Sequence, residues 1–109
     1  MTGEERALSM LGLCMRAGFV RSGEAACEQL VKRGGARLLL VDAGASQGAR
    51  KAMLDACQYK SVPMFAVREG ALGEAIGKPG RMAAAVADAG FAAKIITLLT
   101  TEQTDAGVH

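Results

Sequence analysis

The stretch Arg37-Leu38-Leu39-Leu40-Val41-Asp42 decides the fold. Four consecutive apolar residues stand between the pair Gly34-Gly35 and the turn signal Ala43-Gly44. An unbroken apolar run bounded in this way marks a strand buried on both faces. Such a strand needs an apolar layer on each side, and the flanking segments read as the helices that supply it.

Upstream, Thr2 to Ala17 reads as a helix. Thr2 is placed to cap it, Glu4 and Glu5 lie in the first turn where the helix dipole favours acids, and Leu8, Leu11 and Met15 form one apolar stripe flanked by Ala7 and Cys14. Gly18 ends it, and Phe19-Val20 is expected to be a very short strand. Glu24 to Arg33 reads as a second helix with Cys27, Leu30 and Val31 on its buried face, begun by the pair Ser22-Gly23. Downstream, Ser46 caps a third helix running to about Tyr59. Ala49, Met53, Ala56 and Cys57 form its buried face, and Arg50, Lys51 and Asp55 are expected to point away. Val62-Pro63 breaks the chain, Met64 to Val67 is a short strand, and Glu69 to Gly77 is a short helix.

Met82-Ala83-Ala84-Ala85-Val86-Ala87-Asp88 is the ambiguous segment. Its alanines prefer helix. However, Gly80 precedes it, Asp88-Ala89-Gly90 follows it, and the upstream alternation asks for a strand. A strand over Ala83 to Ala87 and a last helix over Gly90 to Thr100 complete the order. The expected architecture is a three-layer α-β-α sandwich around a small four-stranded sheet. Residues 1–101 form one domain and 102–109 a frayed tail.

Composition narrows the function classes. The chain has 109 residues, half of them hydrophobic and only 4% aromatic, so the core is built from Leu, Val, Met and Ala. A formal charge of +2 is too small to announce nucleic-acid binding by bulk electrostatics, so any basic patch must come from arrangement. Glu4, Glu5 and Arg6 interrupt the N-terminus and no apolar region follows, so no export signal is expected. No apolar run is long enough for a membrane span. Cys14, Cys27 and Cys57 are odd in number and widely spaced, and each lies on an apolar stripe. They read as buried free thiols of a reducing compartment, with no zinc-ligand spacing. The one histidine, His109, ends the chain.

No catalytic constellation is visible, so no enzyme activity is expected. Asp42 and Asp88 follow apolar strands, where open α/β sheets hold ligands, but a turn-forming Asp is the commoner reason for such a residue. No glycine-rich segment fits a nucleotide fingerprint. Binding chemistry concentrates at two places. Arg21-Ser22-Gly23-Glu24 brings a cation and a side-chain-free glycine to the start of the second helix, where backbone amides are unpaired, although Ser22 or Gly23 also serves simply as a helix cap. The loop Gly77-Lys78-Pro79-Gly80-Arg81 offers two further cations suited to phosphates. If that loop lies beside the second helix, Arg16, Arg21, Lys78 and Arg81 converge there.

These motifs resemble a known family. Leu11-Gly12-Leu13-Cys14-Met15-Arg16-Ala17-Gly18, Ser22-Gly23-Glu24, Ala36 to Val41, Val62-Pro63, Leu72-Gly73-Glu74-Ala75-Ile76-Gly77 and Asp88-Ala89-Gly90-Phe91 together are similar to the bacterial YlxQ family, within the L7Ae/L30e kink-turn-binding ribosomal-protein superfamily. The resemblance spans about Leu8 to Leu99. It implies an α-β-α sandwich with a mixed sheet. It also implies a cytoplasmic RNA-binding protein without cofactor or metal, tied to ribosomes or translation and expected to be a monomer. In the superfamily, RNA is held by a Gly-Thr-Asn-Glu-x-x-Lys pattern at the second helix and by an apolar loop before the last strand. Those places match Ser22 to Glu28 and about Lys78 to Ala83.

The pattern is altered here. Ser22 stands for Gly, Gly23 for Thr, Glu24 for Asn, Ala25 for Glu and Glu28 for Lys. Ala25 accepts no hydrogen bond from guanine, and Glu24 and Glu28 repel phosphate at close range. The expected RNA set is Arg16, Arg21, Lys78 and Arg81 on phosphates, backbone amides at Gly23 and Glu24 beside Ser22, and Met82 with Ala83 against a splayed base. The alternative is a protein-interaction module on the same fold, with Glu24 and Glu28 making the face partly acidic.

Overall fold

The apolar run and the aspartate that follows it are buried throughout: β2 (Leu38–Asp42) is a central strand with both faces covered. A computed structural model describes the backbone of residues 1–108 and the side chains of residues 1–101. In chain order the other elements are α1 (Gly3–Arg16), β1 (Val20–Ser22), α2 (Glu24–Lys32), α3 (Gln47–Lys60), β3 (Met64–Val67), α4 (Ala71–Ile76), β4 (Ala83–Val86) and α5 (Ala89–Val108). The sheet order is β1-β4-β2-β3. β4 is antiparallel to β1 and β2, and β2 is parallel to β3. The mixed four-stranded sheet of the α-β-α sandwich is therefore present.

Side-chain alternation divides the core in two. Leu38 and Leu40 of β2, with Ala84 and Val86 of β4, meet α1, α4 and α5 through Leu8, Leu11, Leu72 and Ile95. Leu39 and Val41, with Ala83 and Ala85, meet α2 and α3 through Cys27, Val31, Met53 and Cys57. The alanine-rich segment is a strand because tertiary burial overrides its helical preference. β4 lies between two strands, and all four of its residues are buried.

Local signals set the ends. Thr2 and Glu5 form a reciprocal capping box, with the Glu5 amide 3.0 Å from Thr2 Oγ1 and the Thr2 amide 3.0 Å from Glu5 Oε1. Ser46 Oγ accepts the Ala49 amide at 3.2 Å to start α3. The Asp88 carboxylate accepts the Phe91 amide at 2.8 Å at the start of α5.

Four expectations shift. The first strand is Val20–Ser22 rather than Phe19-Val20, because the Phe19 amide closes α1 on the Cys14 carbonyl at 3.1 Å. The Phe19 ring stays partly exposed against Phe91, with centroids 6.2 Å apart. α4 begins at Ala71 rather than Glu69, because the Gly70 amide is held from outside the helix by Asp42. Arg50 does not point into solvent: it is half-buried, and its Nη2 donates to the Ala43 carbonyl at 2.7 Å. The last helix, expected over Gly90 to Thr100, runs as α5 over Ala89–Val108, into the stretch expected as a tail, where the side chains, and His109 altogether, lie outside the described residues. Among the described residues, no helix is long and apolar enough to cross a membrane.

Asp42 is the only buried charged side chain among the described residues. Its Oδ1 accepts the Gly44 amide at 2.8 Å and its Oδ2 the Gly70 amide at 2.9 Å, while its own amide donates to the Met82 carbonyl at 2.9 Å. One residue thus joins the loops after β2 and β3 to the start of β4. Asp42→Ala leaves two amides without their acceptor and is expected to cost about 3 kcal/mol. The check is a lowered urea midpoint at unchanged slope.

The cysteines give a second test. Burial pushes Cys14 up to about 11, Cys27 up to about 12, and Cys57 upward from the ordinary thiol value of 9.0. Folded values above the unfolded one mean a stabilising contribution that is complete below about pH 9 and lost as pH rises through 11 to 12. Thermal midpoints are expected to fall across that window. At pH 8 all three thiols are expected to resist alkylation until urea unfolds the chain.

Candidate nucleic-acid interface

The end of the sheet tied by Asp42 is where α2 begins. The antiparallel register Arg21↔Ala85 and Ser22↔Ala84 continues into a bond from the Gly23 amide to the Ala83 carbonyl at 2.9 Å. That pairing sets the segment before β4 beside the start of α2, the adjacency that the sequence left open. Gly23 caps α2 at φ 97° and ψ 145°, without a side-chain cap. The first helical bond runs from Cys27 to the Gly23 carbonyl at 3.0 Å, so the amides of Glu24, Ala25 and Ala26 precede the helical ladder. They carry the positive end of the dipole, and Glu24 is the only acid in the first turn. The expectation for the Gly23 amide is corrected: its donor is already used by Ala83.

The neighbouring loop is a hydrogen-bonded turn. Arg81 N–H reaches the Lys78 carbonyl at 3.3 Å, with Pro79 and Gly80 at its corners and Gly80 at φ 86°, the signature of a type II turn. Lys78 and Arg81 therefore bracket the turn, and both are exposed. The turn is packed down onto α4. A Cβ on Gly73 would lie 2.7 Å from the Lys78 carbonyl and 3.0 Å from the Gly80 nitrogen, so only glycine allows this approach. Arg81 Nη1 donates to the Ser22 carbonyl at 3.4 Å, which carries its charge to the α2 start.

The other residues divide clearly. Arg21 is exposed and shares a sheet face with Ala85, on the side covered by α2, while its carbonyl accepts the Cys27 thiol at 3.3 Å. Ser22 is half-buried and Glu24 exposed. Met82 is half-buried against the α2/α3 core, and Ala83 is fully buried, so it contributes by holding Gly23 and not as an outer surface. Arg16 is not brought to this cluster. It lines a cavity of about 400 Å3 between α1 and α4 with Gly12, Arg68 and Glu74.

Two features escaped the sequence reading. Glu28 is paired with Lys32 at 2.9 Å one helical turn on, which offsets its charge; the i, i+4 spacing was the available signal. Arg50 adds a cation at the same sheet end through the Ala43 carbonyl, and only the tertiary structure reveals it. Among the described residues, no group of three or more side chains is arranged to hold a metal.

The chain matches the family of ribosomal proteins L7Ae/L30e/S12e/Gadd45 over residues 5–96. It is 42% identical over 91 residues to "RNA-binding protein YlxQ" of Bacillus subtilis (strain 168), covering 83% of this chain and 91% of that protein. It is 32% identical over 96 residues to the protein of the same name from Enterococcus faecium, covering 87% and 92%. A solved structure of a Bacillus halodurans protein of unknown function superposes with a TM-score of 0.83 at 35% identity, covering 86% of this chain and 96% of that one. The Giardia lamblia 15.5kD RNA binding protein shares the fold, with a TM-score of 0.69 at 20% identity over 89% and 84% of the two chains. With its fold, its ordered motifs and its relatives in agreement, the chain belongs to the Ribosomal protein L7Ae/L30e/S12e/Gadd45 family as a YlxQ-like member.

Proposed function

We propose that this protein is a non-enzymatic RNA-binding protein of the cytoplasm. In this reading it holds structured RNA, ribosomal or kink-turn-like, in translation, at the face made by the start of α2 and the turn before β4. The observation that carries the reading is the meeting of unlike donors at one place. The amides of Glu24 to Ala26, ahead of the first helical bond, lie beside an arginine that the neighbouring turn delivers to the Ser22 carbonyl. Family membership and relatives named as RNA-binding proteins support it.

Phosphates contribute the attraction. Arg21, Lys78 and Arg81 are exposed cations around the helix start, and the Glu28–Lys32 pair reduces the repulsion expected of Glu28. Base reading contributes less than in the superfamily pattern, because Ala25 carries no acceptor. Met82 offers an apolar edge at the turn, beside the core rather than fully outside it. Shape and backbone therefore dominate recognition, as is usual for structured RNA.

The paired substitution Arg21→Ala with Arg81→Ala tests the site. With deproteinised ribosomal RNA titrated across a salt series, removing two phosphate contacts is expected to weaken binding and lower the salt slope by about 2. Unchanged affinity and slope would move the interface elsewhere on the molecule. Failure of the unmodified protein to bind either ribosomal RNA or a kink-turn RNA would favour the protein-interaction module instead.

A further inference from the structure

We infer that Gly23 is the position that seats Arg81, and that the two residues act as one unit in gripping an RNA phosphate; the inference rests on the RNA reading above. Arg81 Nη1 lies 3.4 Å from the Ser22 carbonyl. A Cβ built on Gly23 would lie 2.8 Å from that same nitrogen, a separation that real Cβ atoms do not show. The backbone imposes a second, independent demand. Gly23 sits at φ 97°, which side-chain-bearing residues rarely adopt.

The seat changes what Arg81 can do. A guanidinium has five N–H donors in a rigid planar fork. One is committed to the Ser22 carbonyl, which orients the fork and leaves the remaining donors for the paired oxygens of a phosphate. An arginine anchored in this way has already lost much of the side-chain freedom that binding would otherwise have to remove. Glu28, one turn into α2, is paired with Lys32, and the cation at the helix start arrives from the turn. Gly23 is thus a positioning residue for Arg81.

The obstruction in Gly23→Ala falls on the tip of a flexible side chain, while φ 97° strains any residue that carries one, so the variant is expected to lose some stability as well as to displace the guanidinium. The experiment is a double-mutant cycle of Gly23→Ala and Arg81→Ala, titrated with deproteinised ribosomal RNA across a salt series. Far-UV circular dichroism and thermal midpoints check the fold. Each single variant is expected to weaken binding about tenfold and to lower the salt slope by about 1, and the double variant is expected to be no weaker than the worse single one. Full binding by Gly23→Ala with loss in Arg81→Ala overturns the coupling and leaves the interface reading intact. Full binding by Arg81→Ala overturns both, as does no binding by the unmodified protein. If Gly23→Ala misfolds, Arg81→Lys decides. It keeps the charge but cannot hold the carbonyl and a phosphate with one planar fork, so it is expected to lose binding as Arg81→Ala does. Wild-type binding by Arg81→Lys overturns the inference.

Discussion

The end of the sheet that carries the candidate interface depends on one buried carboxylate. Asp42 closes β2 and is fully buried, and both of its oxygens are used on amides of two different loops. A charged group in such a place is tolerated only when its lone pairs are satisfied. Here the bonds that satisfy it also fix Gly44 before α3 and Gly70 before α4, while its amide holds Met82 at the start of β4. The strand ends, the helix starts and the turn before β4 therefore have their relative positions set from inside the protein. The exposed groups of the interface stand on that internal frame.

The surface chemistry is one of arrangement rather than excess. A net charge of +2 gives little long-range attraction, yet Arg81 reaches the Ser22 carbonyl ahead of α2, Arg21 lies in the adjoining strand, Lys78 stands across the same turn, and Glu28 on the second turn of α2 is paired. The altered superfamily pattern has a consistent physical sense. Ala25 carries no side-chain acceptor where the superfamily pattern has one. The open Gly23 α-carbon, in turn, admits an arginine from the neighbouring turn. In the RNA reading proposed above, recognition rests on backbone and shape more than on base edges.

Much of the fold was legible in the sequence because its signals are local or strongly periodic. The Leu38–Val41 run, the Ser46 cap, the stripe of α1 and the turn-forming role of Asp42 and Asp88 all read directly. Even the alanine strand was accessible, through the alternation around it. What was not legible depends on register and long-range geometry. Phe19 and Arg21 are both compatible with a short strand, and only the closure of α1 on Cys14 decides between them. Arg16 follows the right motif but emerges into the α1–α4 groove, because its direction is set by helix phase against α4. Arg50 reads as a solvent-facing residue until the Ala43 carbonyl appears beside it. The meeting of the turn with α2, on which the candidate interface rests, is a property of the β1–β4 pairing and has no local signature.

The most direct test is an amide-resolved NMR titration of the full chain with a fragment of ribosomal RNA at low salt. The expected result is a clustered set of shifted amides at Glu24, Ala25, Ala26, Lys78 and Gly80 to Met82, fading as salt is raised, with the C-terminal end of α2 and the exposed face of α3 unmoved. Shifts centred on the α1–α4 groove or the outer face of α3, or no shifts at all, would contradict an RNA face built at the start of α2.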